Sequence, residues 1–117
     1  MSIEAVLENN NNQYLGLNRF LNHQKISTFF YRVDDDSMSS EGIKDGDFLA
    51  VNRTLPEESG ELVIAELNNK LTLRRLIIKG KQKILRASNP YYPDLNFKAN
   101  EPLTLWGVVN SNRYYNN

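Results

Sequence analysis

The 117-residue sequence contains no cysteine and a single histidine, His23. Without thiols there is no disulfide, no thiolate nucleophile and no cysteine-based zinc site, and a lone histidine excludes a multi-histidine metal cluster. Fourteen Lys and Arg cancel fourteen Asp and Glu, so no global field draws the chain to nucleic acid or to an anionic membrane. Partner choice falls to local surfaces. No apolar run approaches the roughly 18 residues of a membrane helix. The opening stretch, MSIEAVLENNNNQYL, carries Glu4, Glu8 and an asparagine run where a signal peptide needs basic residues followed by apolar ones. The expectation is a cytoplasmic protein with no cofactor, metal or membrane contact, a setting that the absence of cysteine also fits.

What the chain does contain is enough apolar material for the core of one domain: 40% hydrophobic residues, with five Phe, six Tyr and one Trp. Residues 1–13, ending in Asn9-Asn10-Asn11-Asn12, read as a mobile arm, 14–112 as the domain and 113–117 as a polar tail, with fraying expected from Asn110 onward. Leu17, Phe20 and Leu21 stand at helical spacing and predict a short N-terminal helix, which Gly16 limits to one or two turns. Thr28–Val33 is rich in aromatic and β-branched residues and stops at Asp34-Asp35-Asp36, which marks a strand entering an acidic turn. Phe48–Val51 predicts another strand. Leu62–Leu67 and Leu71–Ile78 form a hairpin through Asn68-Asn69, because asparagine tolerates the positive φ of tight turns. A second hairpin turns at Gly80 and pairs Leu76–Ile78 with Ile84-Leu85, and Leu103–Val109 is a final buried strand. The fold class is mainly β, with a short helix at the N-terminal end.

The segment from Asp36 to Asp47 lies between two strands and mixes a small hydroxyl residue, glycines and acids, a composition suited to a tight loop that exposes one side chain. A lone serine there would be a turn residue. The whole segment says more. Asp36-Ser37-Met38, Gly42-Ile43 and Gly46-Asp47-Phe48-Leu49-Ala50-Val51 together resemble the signature of the LexA/UmuD-type serine–lysine self-cleaving peptidases. Gly60–Ala65, Leu71–Leu76, Asn89-Pro90-Tyr91-Tyr92-Pro93 and Trp106-Gly107-Val108-Val109 are similar to later segments of that family, so the resemblance runs from about Asn18 to Val109. Leu17-Asn18 and Thr28-Phe29-Phe30 resemble the UmuD branch, and no helix-turn-helix domain precedes them as a repressor requires. The resemblance implies the compact LexA/UmuD C-terminal fold of twisted antiparallel sheets. It also implies Ser37 as the nucleophile, supported by Asp36, Met38, Gly42, Gly46 and Asp47.

In that family a desolvated lysine, neutral at working pH, takes the serine proton. The resemblance puts it 37 positions beyond the serine, where this chain has Arg74. A guanidinium stays protonated and offers donors but no lone pair. The expectation is an inactive dyad, with Arg74 forming a structural pair with an acid such as Asp36 or Glu66, or facing a partner. Arg75 points to the opposite face of the strand, and Lys70 and Lys79 are out of register. Family members cut themselves at a small-residue–Gly bond well ahead of the serine, near Ser2 here; this chain has no Ala-Gly or Cys-Gly bond and opens where the product would open. It therefore resembles a processed, UmuD′-like form. The resemblance implies an SOS-mutagenesis accessory subunit: a homodimer that binds a Y-family translesion DNA polymerase and the RecA filament and reaches DNA only through these partners. The rivals are an active self-cleaving peptidase, a relative of bacterial signal peptidase, and the dimerisation domain of a repressor.

Three other groupings carry weaker readings. Asp34-Asp35-Asp36 could hold a hard cation but reads better as a solvated turn. Arg74, Arg75, Lys79, Lys81, Lys83 and Arg86 make a basic hairpin, which without interleaved aromatics reads as a solvated face rather than a DNA contact. Tyr91, Tyr92, Tyr114 and Tyr115 could form a sticky surface, and His23 reads as a loop or helix-end residue with no catalytic partner.

Overall fold

Period-two and continuous apolar runs make strands, and here they assemble into one eight-stranded sheet. The computed structural model describes residues 6–7 and 14–115, with side chains described over 19–110. In chain order the elements are β1 (Val6–Leu7), α1 (Tyr14–His23), β2 (Thr28–Arg32), β3 (Phe48–Asn52), β4 (Leu62–Leu67), β5 (Lys70–Lys79), β6 (Gln82–Arg86), β7 (Leu95–Phe97) and β8 (Thr104–Tyr115). Their order in the sheet is β1-β2-β3-β8-β4-β5-β6-β7. The β1–β2 pair is parallel and every other pair antiparallel. The mainly β class with one short helix is thus as expected.

Both faces of the sheet are apolar, which explains why β4 reads as an unbroken hydrophobic run rather than an alternating one. Leu62 and Ile64 enter a large core with Leu21, Phe29, Leu73 and Trp106, while Val63 and Ala65 point into a second cluster with Leu76, Leu85 and Val108. On β8 the alternation slips at Trp106. Ile64 pairs with Gly107 and Ala65 with Leu105, so Trp106 is the extra residue of a β-bulge, and the slip turns its indole into the large core.

The Asn68-Asn69 hairpin forms as predicted, with φ of 52° and 62° and a ladder from Leu62↔Arg75 to Leu67↔Lys70. The Gly80 hairpin also forms, with Leu76 opposite Leu85. Elsewhere the molecule departs from expectation. Helix α1 is ten residues long, not one or two turns, and Phe20 is exposed while Leu21 is buried. Its stop uses no glycine. Lys25 takes φ of 55°, its N–H donates to Asn22 O and the Ile26 N–H to Leu21 O, and Ile26 packs beside Leu21, which together form a Schellman cap.

Inside the predicted arm, Val6 and Leu7 pair with Phe30 and Tyr31; the rest of 1–13 lies outside the described residues. The fraying predicted from Asn110 does not occur along β8, which continues to Tyr115 and pairs Leu49 with Tyr114 and Phe48 with Tyr115. The backbone of β3 must satisfy its hydrogen-bonding groups whatever the side chains opposite, so a polar stretch is recruited as readily as an apolar one. Strand β7 escaped prediction because three residues after Pro93 are too few to show a period.

Candidate functional site

The loop that carries Ser37 is pinched at its base: the Val33 N–H donates to Asp47 O at 2.8 Å and the Gly46 N–H to Val33 O at 2.7 Å. Inside it, Gly42 and Gly46 take φ of 82° and 94°, values that cost an L side chain strain. Met38 and Ile43 anchor the loop in the large core. Asp47, 3% exposed, accepts the Lys44 N–H at 2.8 Å and closes the turn from within. Met38, Gly42, Gly46 and Asp47, named from the sequence as support for Ser37, thus shape the loop that carries it. Asp35 Oδ1 accepts the Ser37 N–H at 3.0 Å and sets the backbone at the serine.

Ser37 itself is not exposed, contrary to the sequence expectation; none of its surface is open. The cause is the loop after β6. The Asn89 N–H donates to Ser37 O at 2.9 Å and Asn89 Nδ2 to Asp36 O at 3.1 Å, while Tyr92 Oη donates to Asp36 Oδ1 at 2.7 Å. Three bonds bind the 89–92 segment over the Ser37 loop. Sequence reasoning matched Asn89-Pro90-Tyr91-Tyr92-Pro93 to a family segment but gave it no role. Asn89 and Tyr92 are the residues at the candidate site that it left unassigned, and that match was the available signal.

Arg74 projects from β5 into the same place and is 7% exposed. Its Nη1 donates to Thr72 Oγ1 and to Leu73 O, each at 2.8 Å. Ser37 Oγ donates to that same Leu73 carbonyl at 3.3 Å, so the hydroxyl and the guanidinium meet at one acceptor. The Tyr92 ring covers the guanidinium, 5.2 Å from its central carbon to the ring centroid. Among the described residues the ion pair expected of Arg74, with an acid such as Asp36 or Glu66, is not formed. Asp36 is taken by Tyr92, and Glu66 accepts from Trp106 Nε1 at 3.0 Å. Arg74 reaches Asp36 only through the phenol, and a phenol that donates to a carboxylate gains electron density in its ring, which strengthens its hold on a cation. The bond to Asp36, followed by burial, pushes the Tyr92 phenol above its ordinary range.

The other basic residues go elsewhere. Arg75 lies on the opposite face, as predicted, and bonds Glu41 and Gly60 O, and Arg86 pairs with Asp94 at 3.0 Å. Lys70 lies 3.9 Å from Asp34. The three aspartates therefore have separate local partners rather than a common centre: Lys70 for Asp34, the Ser37 N–H for Asp35 and Tyr92 for Asp36. Of the four tyrosines read as a surface, Tyr91 is open and Tyr92 belongs to the site, while the side chains of Tyr114 and Tyr115 lie outside the described residues. A cavity of about 410 Å³ lined by Leu21, Asn22, Ile26, Arg53 and Trp106 among others includes neither Ser37 nor Arg74. Among the described residues no helix is long and apolar enough to cross a membrane.

A serine held in a glycine-bearing turn between β2 and β3, met at the Leu73 carbonyl by a basic side chain from β5 of one mainly antiparallel sheet, is the arrangement expected of a scaffold that pairs a serine with a basic residue rather than with histidine. The Peptidase S24-like family model matches residues 1–110, and the chain belongs to that family. It is 36% identical over 87 residues to the LexA repressor of Alteromonas mediterranea, covering 74% of this chain and 42% of that protein. With protein ImpA of Escherichia coli it shares 31% identity over 97 residues, 83% of this chain and 66% of the relative. Protein MucA of Salmonella typhimurium is 33% identical over 100 residues, with the same two coverages. The chain thus spans from two-fifths to just under two-thirds of the length of these curated relatives. The family resemblance carried by the Ser37 loop is borne out.

Proposed function

We propose that this chain works by binding rather than by cutting, as a UmuD′-like accessory subunit of SOS mutagenesis. In this reading it is a cytoplasmic homodimer that supports a Y-family translesion DNA polymerase, contacts the RecA filament and meets DNA only through those partners. Membership of the S24 family supports the scaffold. The half-buried apolar rim of Leu67, Ile78, Leu95, Phe97, Leu103 and Leu105 supports self-association, since a second copy would remove it from water.

One observation carries the reading: at the site of the base, Arg74 Nη1 donates to the Leu73 carbonyl that also receives the Ser37 hydroxyl. Both groups act as donors toward one oxygen, and a guanidinium has no lone pair to take the serine proton. A positioned general base is worth about 10²- to 10⁴-fold. The test fuses a family-type cleavable arm to the chain and follows cleavage with RecA filament or at alkaline pH. Arg74→Lys is expected to cut at least ~100-fold faster than the unmodified chain. Cleavage by the unmodified chain at the rate of its lysine variant would sink the reading. Co-purification with a polymerase of the expected class tests the binding half, and failure to associate would count against it.

A further inference from the structure

Away from the Ser37 loop, the cavity of about 410 Å³ beside Trp106 is framed by the end of α1 and the loop after β3, which meet at Asn22. The Asn22 side-chain Oδ1 accepts Arg53 Nη2 at 2.6 Å, and its backbone O accepts the Lys25 N–H at 3.1 Å. Asn22 thus brings two cationic residues together, and both line the cavity. The rest of the frame is equally fixed. The Arg53 N–H donates to Ser27 O at 2.7 Å, and the guanidinium stands over the Trp106 indole, 5.7 Å from its central carbon to the ring centroid. Burial pushes the Arg53 guanidinium below its ordinary range, a cost that an anion in the cavity would offset. Lys25 holds φ of 55° at the position after the helix where glycine is usual. Strain of this kind at a cavity wall points to a role for the side chain.

Glu57 also lines the cavity, so its lining carries two positive charges and one negative. A bare anion meets the repulsion of Glu57, whereas a ligand that joins an anionic group to hydroxyl donors suits both signs. Leu21, Ile26 and Leu105 supply an apolar wall for a flat body. Small-molecule sites usually span about 300–1,000 Å³, and a free amino acid would leave much of this cavity empty. We propose that the cavity binds a nucleoside monophosphate, with its phosphate on Arg53 and Lys25, its ribose hydroxyls toward Glu57 and its base against the apolar wall. Arginine and lysine suit phosphate oxygens, and a carboxylate suits a ribose hydroxyl. The cavity includes neither Ser37 nor Arg74, so this site stands or falls apart from the function proposed above.

Trp106 is the single tryptophan of the chain and lines the cavity, so its fluorescence reports occupancy. Adenosine monophosphate added to the full chain is expected to change that fluorescence to saturation. Adenosine, which lacks the phosphate, and inorganic phosphate, which lacks the rest, are each expected to bind at least about tenfold more weakly. Lys25→Gly is the most telling variant. Glycine takes φ of 55° without strain, so the melting midpoint is expected to rise while affinity for adenosine monophosphate falls about tenfold. Glu57→Gln is expected to weaken the nucleotide but to tighten inorganic phosphate, because it removes a carboxylate that holds the ribose and repels a bare anion. No saturable change with the nucleotide, equal binding of nucleotide and inorganic phosphate, or undiminished affinity in Lys25→Gly would overturn the proposal. Tighter binding of an oligonucleotide with a terminal phosphate would move the site to a strand end and overturn the free-nucleotide assignment.

Discussion

Arg74 keeps a full positive charge in a site where 7% of its surface is open. Several kcal/mol of desolvation accompany such a charge unless hydrogen bonds and counter-charge offset it. Thr72 and Leu73 supply the bonds, and the Tyr92 ring, polarised by Asp36, supplies the counter-charge at one remove. A cation over an aromatic face contributes about 0.5–2 kcal/mol. The arrangement has a pH signature. Because the bond to Asp36 raises the Tyr92 phenol above its ordinary value of 10.0, the unfolded chain loses this proton first as pH rises. The stability that the bond contributes is therefore fully present below pH 10 and is lost as pH climbs through the folded-state value. Denaturation midpoints should fall more steeply above pH 10 in the unmodified protein than in Tyr92→Phe, and absorbance titration should show one phenol ionising late that the variant lacks. Identical alkaline limbs in the two proteins would refute the tie.

At the scale of the element, the β4–β5 hairpin positions the site, because its register puts Arg74 opposite Val63 and turns it inward while Arg75 turns outward to Glu41. That register depends on two consecutive residues at positive φ, Asn68 and Asn69. Left-handed backbone costs an ordinary L residue about 1–2 kcal/mol, with asparagine among the exceptions. Asn69→Val should lower the urea midpoint by the equivalent of about 1–2 kcal/mol, whereas Asn69→Gly should match or exceed the parent. This hairpin was legible because its turn chemistry and its apolar runs agree. The helix boundary was not, since the residue that ends α1 in the left-handed region is Lys25, which carries none of the usual turn signal.

Across the whole molecule, β8 is the seam, joining the β1-β2-β3 half of the sheet to the β4-β5-β6-β7 half. The seam is tight at Gly107. A Cβ there would stand 2.7 Å from Val51 Cγ1 and 3.1 Å from the Asn52 carbonyl oxygen. The valine can be trimmed, but the carbonyl belongs to the backbone of β3. Gly107→Ala should destabilise the protein by about 1–3 kcal/mol, typical of overpacking, in a single cooperative transition because both halves depend on the seam. Adding Val51→Ala should recover only part of the loss. Full recovery would show that the backbone contact carries no weight.

From the sequence alone came the mainly β class, both hairpins and the family, because these rest on local spacing, turn chemistry and a gap-free motif. Only the tertiary structure decided that Ser37 is covered, that Arg74 meets it at the Leu73 carbonyl, and that Tyr92 rather than a carboxylate answers the arginine. Those facts depend on residues far apart in the chain, 37 with 89 and 74 with 92, brought together by the packing of the segment after β6 over the loop before β3. Local propensity carries no information about which distant partner satisfies a buried donor; the shape of the assembled core settles that.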